Sequence, residues 1–295
     1  MNYRYILEKY SGGKSRYTCP ECDKKGTFTR YVDVEKQEYL DPRVGRCNRE
    51  NKCGYHYMPK DYFSDHNLTD NNFKINYKPQ VKPKLISFIN YEDLVYTLDN
   101  YSKNKFIKYL LDNFREDQVK EAIEKYFIGT LNRPWHGSTV FWQIDIKGKI
   151  RAGKIMLYDS GTGKRVKEPH SHLSWYHSVS KSKYPDFNIE QCLFGEHLLN
   201  DQSRPVAIVE SEKTAVICSI AFPDHIWLAT GGISNLKEQK CKNLDGRQVI
   251  LYPDSDAVED WSTKLKGINS LNNARVSKVF QDLDIDDGMD LADLL

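Results

Sequence analysis

Four of the seven cysteines of this chain crowd into one short stretch: Cys19-Pro-Glu-Cys22, 24 intervening residues, then Cys47 and Cys53. No other feature constrains the fold as strongly. Four thiolates around one Zn²⁺ make a closed tetrahedral structural site, and a C-x2-C loop is a knuckle that sets two sulfurs on one ion. The stretch between the pairs, GTFTRYVDVEKQEYL, reads as a hairpin that brings the second pair back. A module this small builds little core, so metal binding would supply folding free energy. His56, three residues after Cys53, is an alternative ligand for one cysteine. Four thiolates leave no open position, which argues against a catalytic zinc. Cys192, Cys218 and Cys241 are scattered and read as buried apolar side chains. An odd cysteine count argues against a disulfide framework.

Basic and aromatic residues interleave around the cysteines. Lys24, Lys25, Arg30, Arg46 and Arg49 are candidates to grip phosphates, and Tyr17, Phe28, Tyr31, Tyr55 and Tyr57 to stack on unpaired bases. The net charge of +2 hides an asymmetry. Residues 1–85 carry 17 cations against 11 anions, residues 86–200 carry 16 against 14, and residues 201–295 carry 10 against 16. A basic front and an acidic back suggest a polyanion partner at one end and bound cations at the other. The opening MNYRYILEKYSGGK lacks the apolar core of a signal peptide, and no run of 18 apolar residues occurs. A cytoplasmic protein with no membrane partner is expected.

The fold class expected is multidomain, α+β and α/β. Residues 1–64 form a zinc ribbon. Residues 65–90, polar with Pro79 and Pro83, suit a linker. Residues 91–200 form a helical and basic β-hairpin subdomain. Apolar residues from Leu94 to Phe127 recur at helical spacing, with Ser102 as a candidate cap. A hairpin turns at Lys147-Gly148-Lys149. Residues 201–295 alternate strands and helices, which predicts a parallel sheet of βαβ units.

In that last region strand Ala207–Val209 would deliver Glu210 to its carboxyl end, and strand Val249–Tyr252 would deliver Asp254 and Asp256. Loops at the carboxyl ends of parallel strands form sites. Converging carboxylates repel unless a cation sits between them, and hard oxygen donors suit Mg²⁺ or Mn²⁺ with substrate phosphates as further ligands. Residues two apart in an extended segment face the same side, which would make Asp254 and Asp256 a pair.

The glutamate in VESEKTA, TGG after the next strand and PDSD after the third resemble the Toprim domain of bacterial primases, topoisomerases and some nucleases. The tail DIDDGMDLADLL is similar to the primase segment after the sheet, with Asp287, Asp290 and Asp293 at its acidic positions. The match covers about the last third of the chain. A zinc ribbon followed by a Toprim core is the arrangement of bacterial and phage primases. Two departures stand out. The last two cysteines are separated by five residues, and Ser211 replaces the glycine common after the Toprim glutamate.

The resemblance implies a DNA primase-like nucleotidyltransferase of a phage or mobile element. It would bind a single-stranded DNA template and nucleoside triphosphates, and any replicative helicase would act in trans. Glu210, Asp254 and Asp256 would organise Mg²⁺ or Mn²⁺, with Asp290 holding a further ion. Primases also carry a basic strand-rich subdomain before Toprim, and RAGKIMLYDSGTGKRVK is similar to it. Arg151, Lys164 and Arg165 are the nucleic-acid candidates there. Lys154 is the catalytic candidate, because an unpaired ammonium in apolar surroundings is costly; snorkelling along the hairpin is the alternative. GTGK at 161–164 is too short for a P-loop. His170, His172 and His177 have no carboxylates at ligand spacing. A Toprim nuclease and a non-enzymatic single-stranded DNA-binding accessory protein are the alternatives.

Overall fold

The computed structural model describes residues 3–66, 85–280, 286 and 288–295. Most of the expected linker, and Asp287, lie outside the described residues. The chain divides into two compact units, Met1–Pro83 and Lys84–Leu295.

The first unit is built of short antiparallel strands: β1 Tyr5–Leu7, β2 Phe28–Asp33, β3 Glu38–Tyr39, β4 Gly45–Cys47 and β5 His56–Tyr57, followed by helix α1 Pro59–Asp65. The strands run in the order β1-β2-β4-β5, with β3 hairpinned on β2. Register sets Phe28 opposite Cys47. The hairpin expected between the cysteine pairs is therefore present. Its core is small, with Cys19, Phe28 and Cys47 buried and Tyr17 and Tyr55 packed against them.

The second unit opens with helices α2 Tyr91–Thr97, α3 Lys105–Asn113 and α4 Glu116–Tyr126. Asn104, rather than Ser102, caps α3: its side-chain oxygen accepts from the amides of Phe106 and Ile107. Ser102 lies inside a separate 3₁₀ turn, Tyr101–Lys103. Asn104 also donates to the Gly129 carbonyl and Thr130 and accepts from Thr139. A buried cap with this many partners needs an NH2 to donate and a separate oxygen to accept, whereas a serine hydroxyl has a single proton and one short oxygen for both. Leu111, expected on the apolar face, is exposed.

Strands β6 Gly129–Leu131, β7 Ser138–Ile144, β8 Ile150–Met156 and β9 Leu173–Trp175 make an antiparallel sheet in sequence order. Asp145 accepts from the amides of Lys147 and Lys149 and closes the turn between β7 and β8, where Gly148 has φ +74°. Both faces of this hairpin are buried. Phe141 and Met156 pack toward α3 and α4, and Val140, Trp142 and Ile155 pack on the other face.

After helix α5 Tyr176–Val179 come β10 Val206–Val209, α6 Glu212–Ala221, β11 Ile226–Ala229, α7 Glu238–Cys241, β12 Val249–Tyr252, α8 Val258–Leu265 and β13 Ala274–Val276. The four strands form a parallel sheet in the order β11-β10-β12-β13. Alternate residues feed alternate faces. Ala207, Val209, Trp227 and Ala229 join the core shared with α3, α4 and α6. Val206, Ile208, Ile226, Leu228, Val249 and Leu251 join the opposite core with Trp261 of α8. Strands buried on both faces must read as continuous apolar runs, as VAIV and IWLA do. Burial of a side chain such as Leu228 contributes roughly 2 kcal/mol. Tyr126 ties α4 to the sheet by donating to the Trp227 carbonyl at 2.8 Å. Among the described residues no helix is long and apolar enough to cross a membrane.

Candidate metal centres and the acidic cleft

In the first unit the sulfurs of Cys19, Cys22, Cys47 and Cys53 all lie within 4.8 Å of one another. Those of Cys19 and Cys53 are 3.8 Å apart. A tetrahedron with bonds of about 2.3 Å has sulfur–sulfur edges of about 3.8 Å, so the donor set fits Zn²⁺. Hydrogen bonding from the Lys24 main chain lowers the Cys22 thiol to about 7, and Arg49 Nη1 approaches Cys22 Sγ at 3.6 Å. Both favour the thiolate that a metal requires. His56 takes no part in the cluster; its Nε2 lies 3.0 Å from the Tyr31 hydroxyl.

The basic residues of this unit differ in what they already hold. Lys24 and Lys25 are exposed on the turn after the knuckle. Arg46 pairs with Glu50 at 3.3 Å, and Arg30 lies over the Tyr17 ring, 4.0 Å from its centre. Arg49 serves the cysteine cluster.

In the parallel sheet β10 is the strand where the order reverses: the chain crosses from β10 to β11 on one side, then returns to β12 on the other. Crevices at the carboxyl ends of strands flanking such a reversal bind ligands. Val209 is in register with Tyr252, so Glu210 and the Pro253-Asp254 segment leave the sheet side by side. Ser211 then caps α6, accepting from the Thr214 amide at 3.1 Å. The Asp254 amide donates to Glu210 Oε1 at 3.4 Å.

Glu210 and Asp254 line an open cleft of about 580 Å³. Glu210 is only 8% exposed. Burial pushes its carboxyl up to about 7. Burial, reinforced by the nearby charges of Glu210 and Asp290, pushes Asp254 up to about 8. Two neighbouring, partly desolvated carboxyls are unfavourable as an anionic pair, and a divalent cation bound by them would relieve the conflict. Both carboxyls are hard oxygen donors, the type that Mg²⁺ or Mn²⁺ takes.

The remaining acids are placed differently. Ser255–Ala257 forms a 3₁₀ turn with Asp254 at its N-cap. Asp256 is therefore exposed and does not line the cleft as Asp254 does. The alternation expected of an extended Asp-x-Asp does not hold here, because the chain coils immediately after Asp254. Asp290 does line the cleft. Its Oδ1 accepts from the Ala292 amide and its Oδ2 from the Thr214 hydroxyl at 2.7 Å. Lys213 lies 3.5 Å from Asp290 and 3.7 Å from Asp293.

Basic residues line the same cleft: Lys164, Arg165 and Lys167. The turn that presents them is closed by Asp159, which accepts from the amides of Gly161 and Thr162. Gly163 permits it, since a Cβ there would stand 2.6 Å from the Tyr109 ring. Arg151 lies elsewhere, held by Asp145 at 2.7 Å and Glu190 at 3.6 Å. Arg151 is the extra residue where the β7–β8 register slips, with Gln143 opposite Ala152 and Ile144 opposite Ile150.

Lys154 is 6% exposed and is not snorkelling. Its Nζ lies 2.8 and 3.0 Å from the two oxygens of Glu212, which is 1% exposed. Sequence reasoning did not single out Glu212 or Lys213. A buried mid-strand lysine demands a carboxylate, and that requirement was the signal that could have found Glu212.

The chain belongs to the DUF6371 family, a domain of unknown function, whose model matches residues 104–255. Residues 3–68 match a zinc beta-ribbon finger. Among curated proteins nothing matches. Among solved structures the chain is similar to the primase fragment of the bacteriophage T7 primase-helicase protein, at 14% identity and TM-score 0.43, over 92% of this chain and 91% of that one. It is also similar to the Aquifex aeolicus primase, zinc-binding and RNA polymerase domains, at 15% identity and TM-score 0.41, over 98% of this chain and 76% of that one. A third is the RNA polymerase domain of Mycobacterium tuberculosis primase DnaG, at 14% identity and TM-score 0.44, over 69% and 76%. All three likenesses are distant.

Proposed function

We propose that this chain is a DNA primase-like nucleotidyltransferase that makes short primers on single-stranded DNA. The observation that carries this reading is the Glu210–Asp254 pair at the sheet reversal, Glu210 buried and Asp254 half-buried. It shares one open cleft with Lys164, Arg165 and Lys167. An anionic polymer or triphosphate is drawn to the basic residues, and the acids hold the divalent cation. Bound there, Mg²⁺ or Mn²⁺ would neutralise a nucleoside triphosphate and favour attack of a 3′-hydroxyl on its α-phosphate, with pyrophosphate leaving. Asp290 and Lys213 hold the tail against α6 and so complete the cleft wall. Asp256 and Asp290 are assigned to the ion's outer surroundings. In the ribbon, zinc is structural, and exposed Lys24 and Lys25 with the aromatic residues engage template. Phage or mobile-element replication, with a helicase in trans, is the setting this reading implies.

The test is primer synthesis on mixed-sequence single-stranded DNA with labelled nucleotides and Mg²⁺ or Mn²⁺. Short products from wild type, lost in Glu210→Gln and Asp254→Asn, are expected. Shortened template without primers would replace this reading with a nuclease. DNA binding with neither product would leave a binding protein.

A further inference from the structure

Three segments meet around one ammonium. Lys154 comes from the middle of β8, Glu212 from the first turn of α6, and Gly231 from the turn after β11. Lys154 Nζ donates to both Glu212 oxygens and to the Gly231 carbonyl at 3.3 Å. An ammonium has three protons, and each has an acceptor here. Lys154 therefore has none left for a substrate phosphate. The preceding carbonyl, that of Thr230, accepts from Lys240 at 3.2 Å. Two successive carbonyls of one turn are thus gripped by two lysines. The same turn is hydrogen-bonded to the acidic one, since the Gly231 amide donates to the Glu210 carbonyl at 2.9 Å. Gly231 has φ +80°, and a Cβ on it would stand 3.1 Å from Glu212 Oε1. Lysine, glutamate and glycine are fitted to one another.

We infer that Lys154 and Glu212 are a positioning pair: Glu212 holds the Lys154 ammonium on the Gly231 carbonyl, which fixes the turn whose Gly231 amide holds the Glu210 main-chain carbonyl. Lys154 acts through Glu210 and does not touch substrate. The role in catalysis rests on the primase-like reading above; the mechanical role does not. The geometry is that of a buried ion pair whose partners satisfy each other. Removing one member leaves an uncompensated charge, whereas replacing both with apolar residues of similar volume keeps the fold.

The experiment compares the full chain with Lys154→Met, Glu212→Gln and the double variant Lys154→Met/Glu212→Met. Amide hydrogen exchange is read at Gly231, and primer synthesis is split into kcat and KM for nucleotide. Exchange at Gly231 about tenfold faster is expected in all three, including the double variant with a near-wild-type melting temperature. Both single variants are expected to lose about tenfold in kcat with KM changed less than about threefold. Unchanged exchange at Gly231 in the folded double variant would overturn the pair. So would a Lys154→Met variant with KM raised about tenfold beside a neutral Glu212→Gln, because Lys154 would then contact substrate. An inactive wild type with the exchange effect intact would sink the primase reading alone and leave the positioning pair standing.

Discussion

The main-chain amide of Asp254 donates to the carboxylate of Glu210 at 3.4 Å, across the point where the parallel sheet reverses its strand order. One hydrogen bond thus couples the ends of β10 and β12. Both carboxyls line the same open cleft, where their charges conflict.

That conflict is pH-dependent. Burial raises Glu210 to about 7 and Asp254 to about 8, against about 4 in an unfolded chain. Between about pH 4 and 8 the folded state binds more protons than the unfolded one, so stability falls as pH rises through that window. Without added divalent cation, Asp254→Asn should raise the melting temperature by a few degrees near pH 8.5 and hardly change it near pH 5. Added Mg²⁺ should stabilise wild type near pH 8.5 more than it stabilises this variant. Thermal melts at the two pH values decide it, and equal shifts at both would count against the Glu210–Asp254 pair.

Zinc should be structural. One Zn²⁺ per chain is expected by elemental analysis. Chelation, or Cys47→Ser, should unfold the first unit, because its core is little more than Cys19, Phe28 and Cys47. Limited proteolysis would show it: cleavage confined to residues 1–66 with the second unit intact is expected, and a ribbon that resists protease after chelation would contradict it.

Two glycines with similar backbones should respond differently. Gly148 has φ +74° with open space where a Cβ would go, so Gly148→Ala should cost about 1 kcal/mol for conformation alone. Gly231→Ala adds a contact of 3.1 Å to Glu212 Oε1. It should cost about 2 kcal/mol or more, since the ion pair must move. Urea unfolding of both variants gives the comparison, and equal losses would mean that Glu212 yields freely.

Asn104→Ala should be among the most damaging single changes to the second unit. It removes the cap of α3 and strands the Gly129 carbonyl and Thr139 hydroxyl in the core. A loss of about 3 kcal/mol in denaturant unfolding is expected. Asn104→Ser should recover only part of it, because a hydroxyl replaces the cap but not the donor to Gly129.

The order of elements, the hairpin at Gly148 and the parallel sheet were legible because each leaves a local signature. Apolar runs such as VAIV and IWLA mark strands buried on both faces, and period-3.6 spacing marks α3 and α4. The C-x2-C knuckle announced a metal before any fold was known. Three features were not legible. Asn104 and Ser102 are both good caps locally, and only the buried acceptors around Asn104 distinguish them. Asp254 and Asp256 look alike in PDSD until the chain coils after Asp254 and turns Asp256 outward. Arg151 and Lys154 look like one basic ridge, yet each is taken by its own carboxylate, Arg151 by Asp145 and Lys154 by Glu212.

The sequence by itself determined which residue types were available and which element would carry them: the thiols of the ribbon, the acids at strand ends, the basic turn beyond β8. Local spacing and burial period decide those, and neither needs a distant neighbour. Only the tertiary structure decided which charges meet. Glu212 lies 58 residues from Lys154, and a buried charge chooses its partner by proximity and desolvation, quantities that exist only once the chain has folded.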